Sequence, residues 1–234
     1  MDGVLSPARI ATVIAQFEPD IVGLQELDVS RARSGGIDQA CAIADALRMT
    51  AHFHPAMHVM EEQYGDAILT AWPSRLIKGA ALPGLPWYRA LEPRGALWAE
   101  IATPDGPLQI INTHFGLLPQ EQWAQAAALT GAEWCAHPAC AEPVIVMGDF
   151  NTVPGTRPYR DLAARLTDAQ SLLQQRARAT FPSIRPLLRI DHIFVSAGIE
   201  VLAAEVALNA TARIASDHLP LMVDIALGEA ASSF

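Results

Sequence analysis

The sequence predicts a mixed α/β chain of the α+β kind, with two packed β-sheets carrying helices on their outer sides. Three observations point there. Amphipathic helical periods and short apolar runs are both spread along the chain. Several apolar runs follow one another across hairpin-length gaps, unlike the strand–helix alternation of a doubly wound parallel sheet. Apolar residues make up 51% of the 234 against 18% charged, enough for a large core in one domain over 1–234.

The first helix is signalled by "SPARIATVIAQFEPD". Ser6 suits the N-cap, Pro7 the first helical position, and Pro19 the stop. Ile10, Val13, Ile14 and Phe17 recur at helical spacing on one face. "DIVGLQE" follows as a short buried strand ending on Glu26, and "DQACAIADALRM" repeats the helical pattern. Strand-like runs come next at "HFHPAM", "GDAILTA", "RGALWAEIAT" and "LQIINTHF". The Gly- and Pro-rich "ALPGLPWYRALEPRG" interrupts them. "PQEQWAQAAALTGAEWC" returns to helix, "VIVMGDF" reads as a strand buried on both faces, and "RPYRDLAARL" as helix. Three late strands lie around "RIDHIFVS", "EVLAAEVAL" and "LPLMVDIAL".

The net charge is −9, which disfavours the basic, sequence-independent grip used on long nucleic acid. A small or metal-bridged phosphate ester stays compatible with it. Cys41, Cys135 and Cys140 are odd in number and lack metal-site spacing, so they read as ordinary thiols. No apolar run reaches the roughly 18 residues of a membrane span. No signal peptide opens the sequence, so a cytoplasmic location is expected.

Polar residues recur where the apolar strands run out. Glu26 ends "IVGLQE", and His114 ends "IINTH". Asp149 and Asn151 follow "VIVMG", Asp191 and His192 open "DHIFV", and Asp217 and His218 precede "LPLMV". Any one of them can be a turn cap or a structural histidine. Recurrence at the ends of rigid strands points instead to a shared site. Hard carboxylate and amide oxygens suit Mg²⁺ or Mn²⁺. A free carboxylate can take a proton from water, and a histidinium can offset charge on a phosphoryl oxygen. The chemistry this set suits is phosphate-ester hydrolysis.

Together "PDIVGLQE", "YGDAILT", "INTHFG", "VIVMGDFNTVPGT", "RIDHIFVS" and "ASDHLPLMVDI", in this order over residues 19 to 225, resemble the endonuclease/exonuclease/phosphatase superfamily of metal-dependent phosphoesterases. The resemblance implies a four-layered α/β/β/α sandwich of two mixed sheets flanked by helices. It implies a divalent metal, Mg²⁺ or Mn²⁺, held at Glu26 with Asp217 nearby. Asp149 matches the residue that orients or deprotonates the attacking water. Asn151 and His114 match contacts to the phosphate, and His218 matches a phosphate contact or proton-transfer group paired with Asp191. Asp66 stands where many relatives have Asn, a swap that keeps size and adds a charge at the edge of the site.

The superfamily pattern normally opens with a strand ending in Asn, whereas this sequence opens "MDGVLSPARI". The expectation is a truncated form, with a natural variant lacking that element as the alternative, and with it exposed sheet edges, weakened metal binding and poor turnover. A small or lipid phosphodiester is the expected substrate. A Mg²⁺-dependent endonuclease or exonuclease is the alternative, and an inactive binding domain on the same scaffold the alternative of another class. Trp87 and Tyr88 are expected either to pack within their loop or to line a substrate or membrane surface. Arg94 and Arg189 are expected as solvated surface arginines unless they meet an anionic substrate.

Overall fold

The structure, a computed structural model, describes residues 4–85, 87–88 and 91–228. In chain order its elements are α1 (Pro7–Ala15), β1 (Ile21–Val29), α2 (Gln39–Leu47), β2 (Thr50–Val59), β3 (Glu62–Thr70), β4 (Ser74–Ala81), β5 (Gly95–Thr103) and β6 (Gly106–His114). Then come α3 (Pro119–Leu129), β7 (Val144–Asp149), α4 (Arg157–Ala163), β8 (Thr167–Asp168), β9 (Asp191–Val195), β10 (Ile199–Val206), α5 (Ala210–Ala215) and β11 (Leu221–Leu227). The Ser6 hydroxyl caps α1 by accepting from the Arg9 N–H, and the Asp38 carboxylate caps α2 by accepting from the Cys41 N–H.

Four layers result. One sheet has the order β4-β5-β6-β7-β9-β8, and the facing layer holds β1-β3-β2 and the pair β10-β11. Strand alternation explains the packing between them. Leu97 and Ala99 of β5, Ile110 of β6 and Met147 of β7 face the inter-sheet core. Trp98, Ile111 and Val146 point the other way, with Ala126 and Leu129 of α3 and Leu162 of α4. Ile43 of α2 and Ile14 of α1 cover the outside of the smaller sheet through Leu69 and Ala67.

β4 and α5 lie outside the predicted elements. β4 is an edge strand with charged Arg75 and Lys78 and with Gly79, so neither alternation nor β-propensity marks it. α5 has six residues and depends on the Asn209 cap. Cys41 is exposed and Cys135 and Cys140 are buried, all three free. Pro86, Arg89 and Ala90 of the aromatic loop lie outside the described residues. Trp87 and Tyr88 are exposed, not packed within the loop.

Among the described residues β1 pairs only with β3, and β11 only with β10, so the smaller layer is split in two. A slot of about 910 Å³ lies between the two halves.

Phe150 anchors the end of β7. It is fully buried, with edge contacts to Phe115 at 4.9 Å and Phe194 at 5.4 Å between ring centroids. Phe150→Ala is expected to cost about 3–5 kcal/mol. Urea unfolding checks this: the midpoint should fall with an unchanged slope.

Candidate active site

Three strand ends meet in register. β6 and β7 run parallel with His114 opposite Asp149, and β7 and β9 run antiparallel with Asp149 opposite Asp191. The three side chains therefore stand in one row across adjacent strands. Gly148 makes the approach possible. Its φ is +145°, and a Cβ there would sit 1.9 Å from the Thr113 carbonyl oxygen.

After Asp149 the chain leaves the strand. Asn151 is left-handed, with φ +48°, and its N–H donates to Asp149 Oδ1 at 2.8 Å. This Asx turn aims Asn151 at the site. Strand alternation would place Asp149 and Asn151 on the same side by period, but the strand has ended by then. Phe150 between them does point into the core. Asn151 Nδ2 donates to the Phe115 carbonyl at 3.0 Å and lies 3.2 Å from His114 Nε2.

Glu26 arrives differently. β1 does not end there but runs on to Val29, with a bulge between Leu24 and Leu27. Glu26 takes φ +62° in that bulge, which turns its carboxylate outward. Its side chain is 61% exposed, and Oε1 lies 3.9 Å from His114 Nε2. Asn112, fully buried on β6, holds the bulge. Its Nδ2 donates to the Leu24 and Ala67 carbonyls, each at 2.9 Å, and its Oδ1 accepts from Gln25 Nε2 at 2.7 Å.

His218 and Asp191 form a close pair, Nδ1 to Oδ2 2.8 Å, and Asp191 also accepts from the Thr180 hydroxyl. His218 Nε2 stands 3.8 Å from Asp149 Oδ2. Burial alone would lower the His218 pKa, but the hydrogen bond and charge of Asp191, with Asp149 and Asp217, raise it to about 9. Burial, then the Asp191 charge, pushes Asp149 up to about 7. Asp217 itself is exposed, and its backbone carbonyl accepts from the Ser183 N–H at 2.6 Å.

His114 behaves oppositely to His218. Burial, then the charges of Arg94 and His218, holds it well below the usual histidine range, so it is neutral. Arg94 Nη1 lies 2.8 Å from His114 Nδ1. Guanidinium can only donate, so Nδ1 accepts and the ring proton sits on Nε2, 3.5 Å from Asp149 Oδ2; Asn151 Nδ2 then donates to the Phe115 carbonyl and not to Nε2. Arg94 is not a solvated surface arginine: it is buried, with Nη1 2.7 Å from Glu92 Oε1. Nor is Arg189, whose Nη2 bonds buried Asp168 at 2.7 Å. Asp168 also accepts from the Tyr159 hydroxyl at 3.0 Å and lies 3.2 Å from His192 Nδ1, fixing β8 against β9. Asp66 does not add the expected charge. Burial pushes its carboxyl up to about 8, against Arg94 and the Glu26 N–H, so at neutral pH it is mostly an uncharged acid.

Single-sequence reasoning missed the roles of Arg94, Asn112, Asp168 and Thr180. None carries a local signal, because each acts on a strand distant in sequence.

The residues present fit a divalent ion. Donor atoms of Asp149, Asp191 and His218 lie within 4.8 Å of one another. His218 and Asp191 are committed to each other, and an imidazolium cannot ligate. Asp149 and exposed Glu26 remain as oxygen donors of the kind Mg²⁺ and Mn²⁺ prefer. Glu26 and Asp217 both stand outside the compact three-residue group.

The tautomer of His114 is open to test by long-range ¹H–¹⁵N spectra of the histidine rings, assigned with His114→Gln. One neutral form with the proton on Nε2 is expected. Arg94→Met should admit the second tautomer, whereas Arg94→Lys, which can still donate, should not. An unchanged tautomer in Arg94→Met would refute the assignment.

Comparisons with known proteins place the chain in a family. The model of the family described as "Endonuclease/Exonuclease/phosphatase family" matches residues 2–218. The protein YbhP of Escherichia coli (strain K12) is 31% identical over 171 residues, which is 71% of this chain and 64% of YbhP. The chain thus matches just under two thirds of that relative. An endonuclease/exonuclease/phosphatase structure from Beutenbergia cavernae superposes with a TM-score of 0.74 at 23% identity, over 97% of this chain and 67% of the other. The mannosyl-6-phosphatase Bt3783 of Bacteroides thetaiotaomicron gives 0.75 at 21% identity, over 94% and 90%. At these identities the two structures speak to the fold, which is the same layered sandwich. The chain belongs to the endonuclease/exonuclease/phosphatase family.

Proposed function

We propose that this chain is a divalent-metal-dependent phosphoesterase that hydrolyses a small or lipid-borne phosphodiester by attack of water on phosphorus. The observation that carries this is the row of His114, Asp149 and Asp191 across three strands, closed by His218 on one side and faced by Glu26 on the other. His114, Asp149 and His218 differ in protonation, and each state suits a different task.

Asp149, ionised above about pH 7, accepts a proton from the attacking water. His218, held as imidazolium by Asp191, offsets charge growing on the phosphoryl oxygens or protonates the leaving oxygen. Neutral His114 offers its Nε2–H to the phosphate beside Asn151. Mg²⁺ or Mn²⁺ at Glu26, with Asp217 near, supplies Lewis-acid polarisation of a phosphoryl oxygen when bound. The net charge of −9 favours a small or lipid substrate over a nuclease role. A phosphomonoester belongs beside the diesters as a test substrate, because Bt3783 is named as a mannosyl-6-phosphatase.

The first test is turnover of a chromogenic phosphodiester, with a phosphomonoester in parallel, under Mg²⁺, Mn²⁺ and EDTA. Hydrolysis should require the metal, and Asp149→Ala should lower it by about 10²–10⁴-fold. Activity that survives EDTA, or survives in Asp149→Ala, would refute the proposal.

A pH profile of kcat/KM is the second test. The working form needs Asp149 deprotonated and His218 protonated. The rate should rise as pH passes about 7 and fall as it passes about 9. Asp191→Asn removes the charge that holds His218 protonated, so the falling limb should move to lower pH. A limb that stays in place would remove His218 from the acid role.

A further inference from the structure

The segment that leads into β9 differs in charge from the rest of the chain. Residues 169–190 hold four arginines and no acidic residue, in a protein whose net charge is −9. Among the described residues only one of the four, Arg189, is ion-paired, and Arg176, Arg178 and Arg185 are exposed. Large aliphatic side chains lie among them. Leu172, Leu188, Ile184 and Leu187 are exposed, the last two by 67% and 68%. Exposed apolar groups rimmed by charge mark an interaction surface. The segment is also braced. Phe181 pairs with Leu188 across a short hairpin, and Arg213 of α5 donates from Nη1 to the Ser183 carbonyl at 3.0 Å. The base of this hairpin lies on the candidate site: the Thr180 hydroxyl donates to Asp191, and the Phe181 ring is 4.8 Å from the His218 ring between centroids. The exposed turn at Ile184, Arg185 and Leu187 therefore stands at the rim of the cleft. Across the cleft, the loop between β4 and β5 returns at Arg94 beside His114 and exposes Trp87 and Tyr88.

We infer that this rim docks on an anionic lipid surface, with Arg176, Arg178 and Arg185 meeting headgroup phosphates and the aliphatic side chains entering the acyl boundary. A nucleic-acid strand would also meet the arginines, but it is held by bases stacked on aromatic side chains. The one aromatic residue of the segment, Phe181, is already packed against His218. Leucine and isoleucine offer a base no stacking, yet they gain by entering hydrocarbon. Trp87 and Tyr88 suit the headgroup level, where one end of the ring is apolar and the other wet. Charge sets the orientation. The net charge is −9 with this basic segment included, so the rest of the chain is more acidic still and is repelled by an anionic surface. Only the basic rim is drawn toward it.

Docked this way, the cleft beside Asp191 and His218 opens onto the headgroups, and the substrate is a phosphodiester carried by a lipid in that surface. This consequence rests on the phosphoesterase proposal; the docking itself does not, and its test reads no turnover.

The test is cosedimentation of the purified chain with vesicles of phosphatidylcholine alone and of phosphatidylcholine with phosphatidylglycerol in equal parts, at low and at high salt. Binding should be about tenfold or more tighter to the mixed vesicles, and it should weaken as salt rises. Arg176→Gln, Arg178→Gln and Arg185→Gln combined should lower the affinity by about tenfold or more. Ile184→Ser with Leu187→Ser, which keeps every charge, should do the same by about tenfold. Both variants should melt as the parent chain does, because the altered side chains are exposed. No binding to the mixed vesicles, equal binding to the neutral ones, or variants that bind like the parent would overturn the inference. So would a single-stranded oligonucleotide that binds at lower concentration than the mixed vesicles and is lost in the arginine variant, which would assign the segment to nucleic acid.

Discussion

The register of β6, β7 and β9 is the constraint on which the site depends. Side chains at strand ends can form a row only if neighbouring strands stop at the same height. Here the parallel β6–β7 ladder and the antiparallel β7–β9 ladder both stop on a candidate site residue, His114 against Asp149 against Asp191. A slip of one residue would turn each of them to the other face. Gly148 keeps β7 close to β6 at that height, and the buried aromatic group of Phe150, Phe115 and Phe194 fixes where the chain turns off. The site inherits its geometry from the core beneath it.

Charge is distributed by partner rather than by residue type. Two histidines flank Asp149, 3.5 Å and 3.8 Å away. One is paired with a carboxylate and is cationic; the other is buried against a guanidinium and is neutral. Two acids near them also diverge. Asp149 is poised near neutrality, whereas Asp66 is buried more deeply and is held higher. The cleft thereby holds a carboxyl poised near neutrality, a cation and neutral donors within a few ångströms.

The two halves of the cleft are not equally braced. The six-stranded sheet carries His114, Asp149 and Asp191 on central strands, tied further by Asp168 to Arg189 and Tyr159. Glu26 sits on a bulged strand with one free edge, and Asn112 is the polar staple that holds this bulge to the larger sheet. His218 precedes β11, the strand across the slot. The Glu26 side of the cleft is therefore the side whose strands are paired on one edge among the described residues.

The sequence by itself determined the layered α/β class, most of its strands and most of the polar residues at their ends, Glu26 within β1 excepted. Apolar periodicity and turn chemistry are local, and "LQE", "NTH", "GDFN", "DH" and "SDH" stand where those local patterns stop. Edge strand β4 and short α5 escaped, because their stability comes from neighbours rather than from pattern. The aim of Glu26 and Asn151 escaped too, since both depend on left-handed backbone that nothing in a non-glycine residue announces. What only the tertiary structure decided was protonation and partnership: which histidine is charged, that Arg94 faces His114, that Asp66 is neutral, and that β1 and β11 flank an open slot. Burial and long-range pairing set these properties, and both arise only when strands far apart in sequence are brought side by side.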